Sequence, residues 1–287
     1  MIEVCNIHVM KPLLESHGFH FSKAKGQNFL IAPWVPESIV REAGVDKCAG
    51  VLEIGPGIGP LTQQLCLGAK KVCAVELDNR LKPILDATVG EFDNLEIIWN
   101  DVLKLDVPSL VQEKFPGLRP AACANLPYYI TSPIIMMLLE ERLPIDSITV
   151  MVQKEAAQRI CAEVGTRQSG AVTVAVNYYS TPQLLFSVSA GSFMPAPKVD
   201  SAVIRLDILE NSRVQLKNEK LFFRIIKSAF GQRRKTLSNS LSSGLSLPKG
   251  DVINALEIAG VPANYRAEQL TMQQLADIAN AIAQITE

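Results

Sequence analysis

The stretch Val51-Leu52-Glu53-Ile54-Gly55-Pro56-Gly57-Ile58-Gly59-Pro60 decides the fold. A mostly apolar run passes into alternating glycines and then proline, the pattern of a buried strand that ends in a tight turn and hands over to a helix. Glycines there let a ligand approach the backbone. The dinucleotide fingerprint G-x-G-x-x-G would need its third glycine at position 60, which is Pro60, so a nicotinamide cofactor is disfavoured.

Outward from this stretch, apolar runs at 51–54, 71–75, 95–99, 121–124 and 147–152 alternate with helix-like segments near 60–67, 79–87 and 132–141. That alternation predicts an α/β fold, a mostly parallel sheet with helices on both faces. After Gly170 the runs 172–179, 183–188 and 202–208 are β-prone and are expected as antiparallel strands closing the sheet, so the α/β domain is placed at residues 1–209. Beyond it, Leu221, Phe222, Ile225, Ile226, Ala229 and Phe230 recur at helical spacing, as do Leu275, Ile278, Ala279 and Ile282. Residues 210–287 are therefore read as a small C-terminal helical domain.

With 287 residues, 48% hydrophobic and 20% charged, the composition is that of a soluble globular protein. The six cysteines are scattered without a Cys-x-x-Cys pair and are expected to be reduced packing residues of a cytoplasmic protein. The start has no basic segment followed by an apolar one, and the longest apolar stretch, 121–139, is interrupted by Asn125, Pro127 and Pro133; neither secretion nor a membrane span is expected. The net charge of −1 argues against a general nucleic-acid binder, yet residues 211–249 hold nine lysines or arginines against the single acid Glu219. The densest cluster, Arg233-Arg234-Lys235, suits phosphate contacts that position an RNA without reading its bases; the plainer alternative is a solvated charged face.

Three further positions carry chemistry. Glu76 ends the second strand, where a carboxylate can accept bonds from both ribose hydroxyls of an adenosine-type ligand; the glycines with this acid suggest S-adenosylmethionine or NAD. Asp101 follows the third strand and is either an acceptor for the cofactor's adenine amine or a helix cap. Asn125-Leu126-Pro127-Tyr128 follows the fourth. It offers an amide oxygen, a backbone carbonyl, a residue without an N–H and an aromatic face, which is what a flipped adenine needs around its exocyclic amine. A bare turn into a helix is the alternative. His8, His17 and His20 have no Cys or acid placed to complete a metal site, and none is expected.

Taken together these residues resemble the ribosomal RNA adenine dimethyltransferases, in particular the bacterial small-subunit (16S) type. The resemblance spans nearly the whole chain: Gly26-Gln27-Asn28-Phe29-Leu30, Glu53-Ile54-Gly55-Pro56-Gly57, Glu76, Asp101, Asn125-Leu126-Pro127-Tyr128, Phe193-x-Pro195-x-Pro197-x-Val199-x-Ser201 and Arg233-Arg234-Lys235-Thr236-Leu237 occur in the family's order. It implies a Rossmann-like methyltransferase sheet in which Asn28, Leu30, Gly55, Glu76, Asp101 and Asn125 contact S-adenosylmethionine, residues 1–30 form a cofactor and RNA segment, and Phe193 gives a second aromatic wall beside Tyr128. A buried core Phe is the plainer reading of Phe193. The implied reaction is N6,N6-dimethylation of two adjacent adenosines in a hairpin loop near the 3′ end of 16S rRNA, within a maturing small subunit, with no oligomer or obligate protein partner expected. The competing expectations are a 23S rRNA methyltransferase of the macrolide-resistance type, which favours Ile at the Leu126 position and is shorter and more basic, and a non-catalytic rRNA-binding assembly factor.

Overall fold

A computed structural model describes residues 2–19, 28–232 and 234–286. The chain divides into two compact units, one of residues 1–157 with 183–208 and the other of 158–182 with 209–287. In chain order the elements are α1 (Ile7–Ser16), β1 (Phe29–Leu30), α2 (Trp34–Glu42), β2 (Ala49–Ile54), α3 (Pro60–Gly68), β3 (Lys71–Glu76), α4 (Lys82–Val89), β4 (Leu95–Trp99), α5 (Val107–Lys114), β5 (Arg119–Asn125), α6 (Thr131–Glu140), β6 (Ser147–Gln153) and α7 (Lys154–Ile160). They continue with α8 (Ala171–Tyr179), β7 (Ser180–Val188), β8 (Phe193–Met194), β9 (Ser201–Ile208), α9 (Glu219–Gly231), α10 (Leu237–Leu245), α11 (Lys249–Ile258) and α12 (Met272–Thr286).

The first unit is built on a seven-stranded sheet of order β4-β3-β2-β5-β6-β9-β7. β2 pairs in parallel with both β3 and β5, β3 with β4 and β5 with β6, while β9 runs antiparallel to β6. The chain winds outward from β2 through β3 to β4, then returns to start β5 on the other side of β2. The crevice at the carboxyl ends of β2 and β5 is thus the topological switch point, where open α/β sheets bind ligands. β2 is buried along its whole length, as a central parallel strand must be, which explains why it reads as an apolar run broken only by Glu53. α2 and α3 cover one face, with Val35, Ile39, Leu61 and Leu65 packed against Val51, Val72 and Cys123. Met10 and Leu14 of α1 pack with Ile84, Leu85 and Val89 of α4 and with Ile58 of the glycine turn.

Residues 172–179, expected as a strand, form α8. Val174, Thr173 and Val176 have β-prone side chains, but Val174 and Tyr178, one turn apart, both bury into the helical core beside Phe222. An apolar run buried on all sides has no period that separates helix from strand, and packing decided it. Residues 158–182 group with the C-terminal helices, which was not foreseen from the sequence.

In that second unit the apolar stripe of α9 is buried as its spacing predicts, with Phe222, Ile225, Ile226 and Ala229 packed among Leu241 of α10, Leu256 of α11 and Ile278 of α12. The Asn218 side chain accepts the Leu221 N–H and starts α9. Gly244 lets α10 approach α9: a Cβ there would lie 2.5 Å from the Cβ of Ser228. Lys220, Arg224 and Lys227 are exposed on the opposite side of α9.

Candidate active site

Strand register assembles the site. Ile54 pairs with Ala124, so Gly55 and Asn125 follow side by side across the switch crevice. Glu76, the last residue of β3, pairs with Trp99, the last of β4, so Asp101 follows on the same edge. One cavity at this edge is lined by Asn28, Leu30, Gly55, Glu76, Asp101, Asn125, Leu126, Pro127, Tyr128 and Phe193, every residue expected there. Of the three basic residues singled out, Arg234 and Lys235 lie in the second unit, exposed after α9, and Arg233 lies outside the described residues, as do Gly26, Gln27 and His20.

The floor is the glycine turn. Gly55, Gly57 and Gly59 all have positive φ, at 72°, 61° and 92°, so each position favours glycine. A Cβ on Gly55 would meet nothing within 4 Å, so its backbone faces open space that a ligand can fill. The turn is closed by the Gly59 N–H donating to the Pro56 carbonyl and fastened to β3 by the Gly55 N–H donating to the Val75 carbonyl, each at 2.9 Å. Glu76 braces it as well: its Oε2 accepts the Gly57 N–H at 3.2 Å and its Oε1 the Asp78 N–H at 2.8 Å. Burial raises the Glu76 carboxyl above its ordinary value, opposed by those backbone bonds. Each oxygen retains a lone pair for a ribose hydroxyl.

Asp101 has both roles the sequence left open in reach. Its Oδ1 accepts the Leu103 N–H at 3.1 Å and caps the short turn 102–104, while Oδ2 lies 3.8 Å from Lys104 Nζ and the residue still lines the cavity. Asn28 and Leu30 form the wall beside the turn, Leu30 fully buried and paired antiparallel with Phe193. Phe193 is only 3% exposed and belongs to the core with Leu30, Met151 and Val203, yet its ring also borders the cavity.

The remaining wall is the loop after β5. The Leu126 N–H donates to the Met151 carbonyl at 3.2 Å, fixing the peptide against β6. The Pro127 carbonyl accepts from the Ile130 N–H at 3.1 Å and the Thr131 hydroxyl at 3.4 Å, which turns the chain into α6. No described group bonds to the Asn125 side chain or the Leu126 carbonyl, and both residues line the cavity, so two acceptors on this loop are left without a protein partner. Tyr128 is half-buried, its hydroxyl 2.8 Å from Ser201 Oγ; desolvation raises its pKa and the Ser201 bond opposes the shift.

Two features of the cavity went unread in the sequence. Glu53, inside the stretch that decides the fold, is 1% exposed and neither oxygen has a hydrogen-bond partner. Burial pushes its pKa up to about 8; the nearby Thr62 hydroxyl, short of a hydrogen bond, lowers it somewhat and the Glu76 charge adds to the rise. An acid in an otherwise apolar central strand was the available signal. The Ser201 contact had no such signal, because its partner lies 73 positions away. Among the described residues no group of three His, Cys, Asp or Glu could hold a metal, and no helix is long and apolar enough to cross a membrane.

A glycine turn at the switch point of a parallel sheet, a ribose-competent acid on the next strand and open acceptors after β5 define a Rossmann-like methyltransferase that uses S-adenosylmethionine. The ribosomal RNA adenine dimethylase family model matches residues 18–284, and the chain belongs to that family. It is 47% identical over 274 residues to ribosomal RNA small subunit methyltransferase A of Alkaliphilus oremlandii, covering 95% of this chain and 96% of that protein. To the protein of the same name from Lachnoclostridium phytofermentans it is 48% identical over 273 residues, with 94% of each covered. Among solved structures, a dimethyladenosine transferase from Plasmodium falciparum has a TM-score of 0.74 and 25% identity, covering 90% of this chain and 98% of that one. The 23S rRNA methyltransferase ErmE has a TM-score of 0.67 and 26% identity, covering 90% and 100%.

Proposed function

We propose that the protein dimethylates the N6 amines of two adjacent adenosines in a hairpin loop near the 3′ end of 16S rRNA. The observation that carries the chemistry is the pair of open acceptors, Asn125 Oδ1 and the Leu126 carbonyl, on the same cavity as the glycine turn. Identity favours the small-subunit target over the large: 47% to a protein named for the small subunit against 26% to a 23S enzyme.

When bound, S-adenosylmethionine supplies a methyl group on a positively charged sulfur. Gly55 and its neighbours would admit it along the backbone, Glu76 would accept from the ribose, and Asp101 would accept from the adenine amine. The target adenine is a poor nucleophile because its N6 lone pair is shared with the ring. Asn125 and Leu126 hold the two N–H bonds and draw that pair out of conjugation, Pro127 has no N–H to compete for them, and Tyr128 and Phe193 hold the faces of the base, stacking worth about 1–3 kcal/mol each. With the donor bound, the N6 lone pair would take the methyl as the S–C bond broke, the sulfur would leave as a neutral thioether, and the methylated amine would release its proton to water. No strong base is needed, and positioning carries most of the rate.

Arg233, Arg234 and Lys235, with the exposed Lys220, Arg224 and Lys227, supply phosphate contacts, and residues 1–30 add to the cofactor and RNA surface. The protein acts as a monomer in the cytoplasm on the maturing subunit and leaves once methylation is complete. The test is Asn125→Ala on small subunits lacking these methyl groups: turnover is expected to vanish while RNA binding persists. Normal turnover by this variant would remove Asn125 from the chemistry.

A further inference from the structure

We infer that Ser201 is a positioning residue that fixes the ring of Tyr128, and that this tie bears most on the second of the two methyl transfers to one amine. The inference rests on the adenine-methylating function proposed above. Tyr128 Oη lies 2.8 Å from Ser201 Oγ. Ser201 is fully buried and opens β9, where its backbone is in register with Gln153 of β6. Its hydroxyl has no other hydrogen-bond partner among the described residues. The bond therefore reaches from a rigid strand to the loop that carries the open acceptors.

Tyr128 is held at both ends. Its backbone sits in the turn closed by the Pro127 carbonyl, and its phenol end is bonded to the sheet, so the long axis of the side chain is fixed and the ring cannot swing away about χ1. Tyr129, its neighbour in sequence, is 60% exposed and has no such anchor among the described residues. In the first transfer the substrate amine offers both N–H bonds to Asn125 and Leu126. After it, only one N–H remains, and the orientation of the base depends more on the aromatic face against it. A ring free to swing about χ1 would thus cost the second transfer more than the first.

The test is a double-mutant cycle of Ser201→Ala and Tyr128→Phe against wild type, on small subunits lacking these methyl groups and at saturating S-adenosylmethionine, with products separated as N6-monomethyl and N6,N6-dimethyladenosine. Each single variant is expected to lower the first-transfer rate about fivefold, the net contribution of one hydrogen bond. Each is also expected to raise the monomethyl-to-dimethyl ratio further, leave the cofactor Kd unchanged by calorimetry, and match the double variant, since either substitution removes the same bond. Tyr128→Phe reads the bond from the less buried side should Ser201→Ala fold poorly. Additive losses, or a wild-type product ratio in Tyr128→Phe, would overturn the inference while leaving the functional reading intact. A wild-type protein that methylates nothing would overturn both.

Discussion

Glu53→Gln separates what the buried carboxyl does to stability from everything else in the site. Glu53 is buried with both oxygens unpartnered, and its pKa rises from an ordinary 4.5 to about 8. A raised folded-state value means that the folded protein keeps the proton longer than the unfolded chain. Stability is therefore fullest below pH 4.5 and declines as the pH rises toward 8, where the loss levels off. At about 1.4 kcal/mol per pKa unit, the loss is under about 1 kcal/mol at pH 5, about 3 at pH 7 and nearly 5 on the plateau. Glutamine has the same shape and does not ionise. The variant should gain on wild type by those amounts between pH 5 and 8.5 in urea unfolding, with m-values unchanged. Cys66 and Cys123, each pushed up to about 12, stay protonated over this range in both proteins, and Glu76 is the one titratable neighbour whose charge adds to the Glu53 shift. A stability difference that stays constant over this range would refute the reasoning, because it would mean that Glu53 is charged in the folded state throughout.

Gly59→Ala combines a φ of 92° with a Cβ placed 2.8 Å from Val89 Cγ1 and 3.2 Å from Thr88 Oγ1; a loss of about 2–4 kcal/mol in urea unfolding is expected, with weaker cofactor binding by calorimetry. Phe222→Ala empties the centre of the helical core and should cost about 3–5 kcal/mol by the same measurement. Charge reversal at Arg234 and Lys235 should weaken RNA binding and flatten the dependence of log affinity on log salt by about 0.7–0.9 per lost phosphate contact, read by filter binding at several salt concentrations.

The edge of the sheet was legible because parallel strands begin and end in step: once 51–54, 71–75, 95–99 and 121–124 are strands, Gly55, Glu76, Asp101 and Asn125 must share one edge. The helical stripes of α9 and α12 were legible for the same kind of reason, since one face of each is buried at a fixed period. α8 was not, because Val174 and Tyr178 obey a helical spacing inside a run that is β-prone throughout. Nor was the grouping of residues 158–182, or the bond from Tyr128 to Ser201, because no local pattern records which distant segment a residue will meet. Glu53 was visible as a letter and silent as a group, since only the packing around it shows that its carboxyl is left unpartnered.

The purified protein is incubated with labelled S-adenosylmethionine and, separately, small and large ribosomal subunits lacking these methyl groups, and the RNA is digested to nucleosides. N6,N6-dimethyladenosine in the small-subunit RNA alone is the expected result. Label in the large subunit, or in neither, would contradict it.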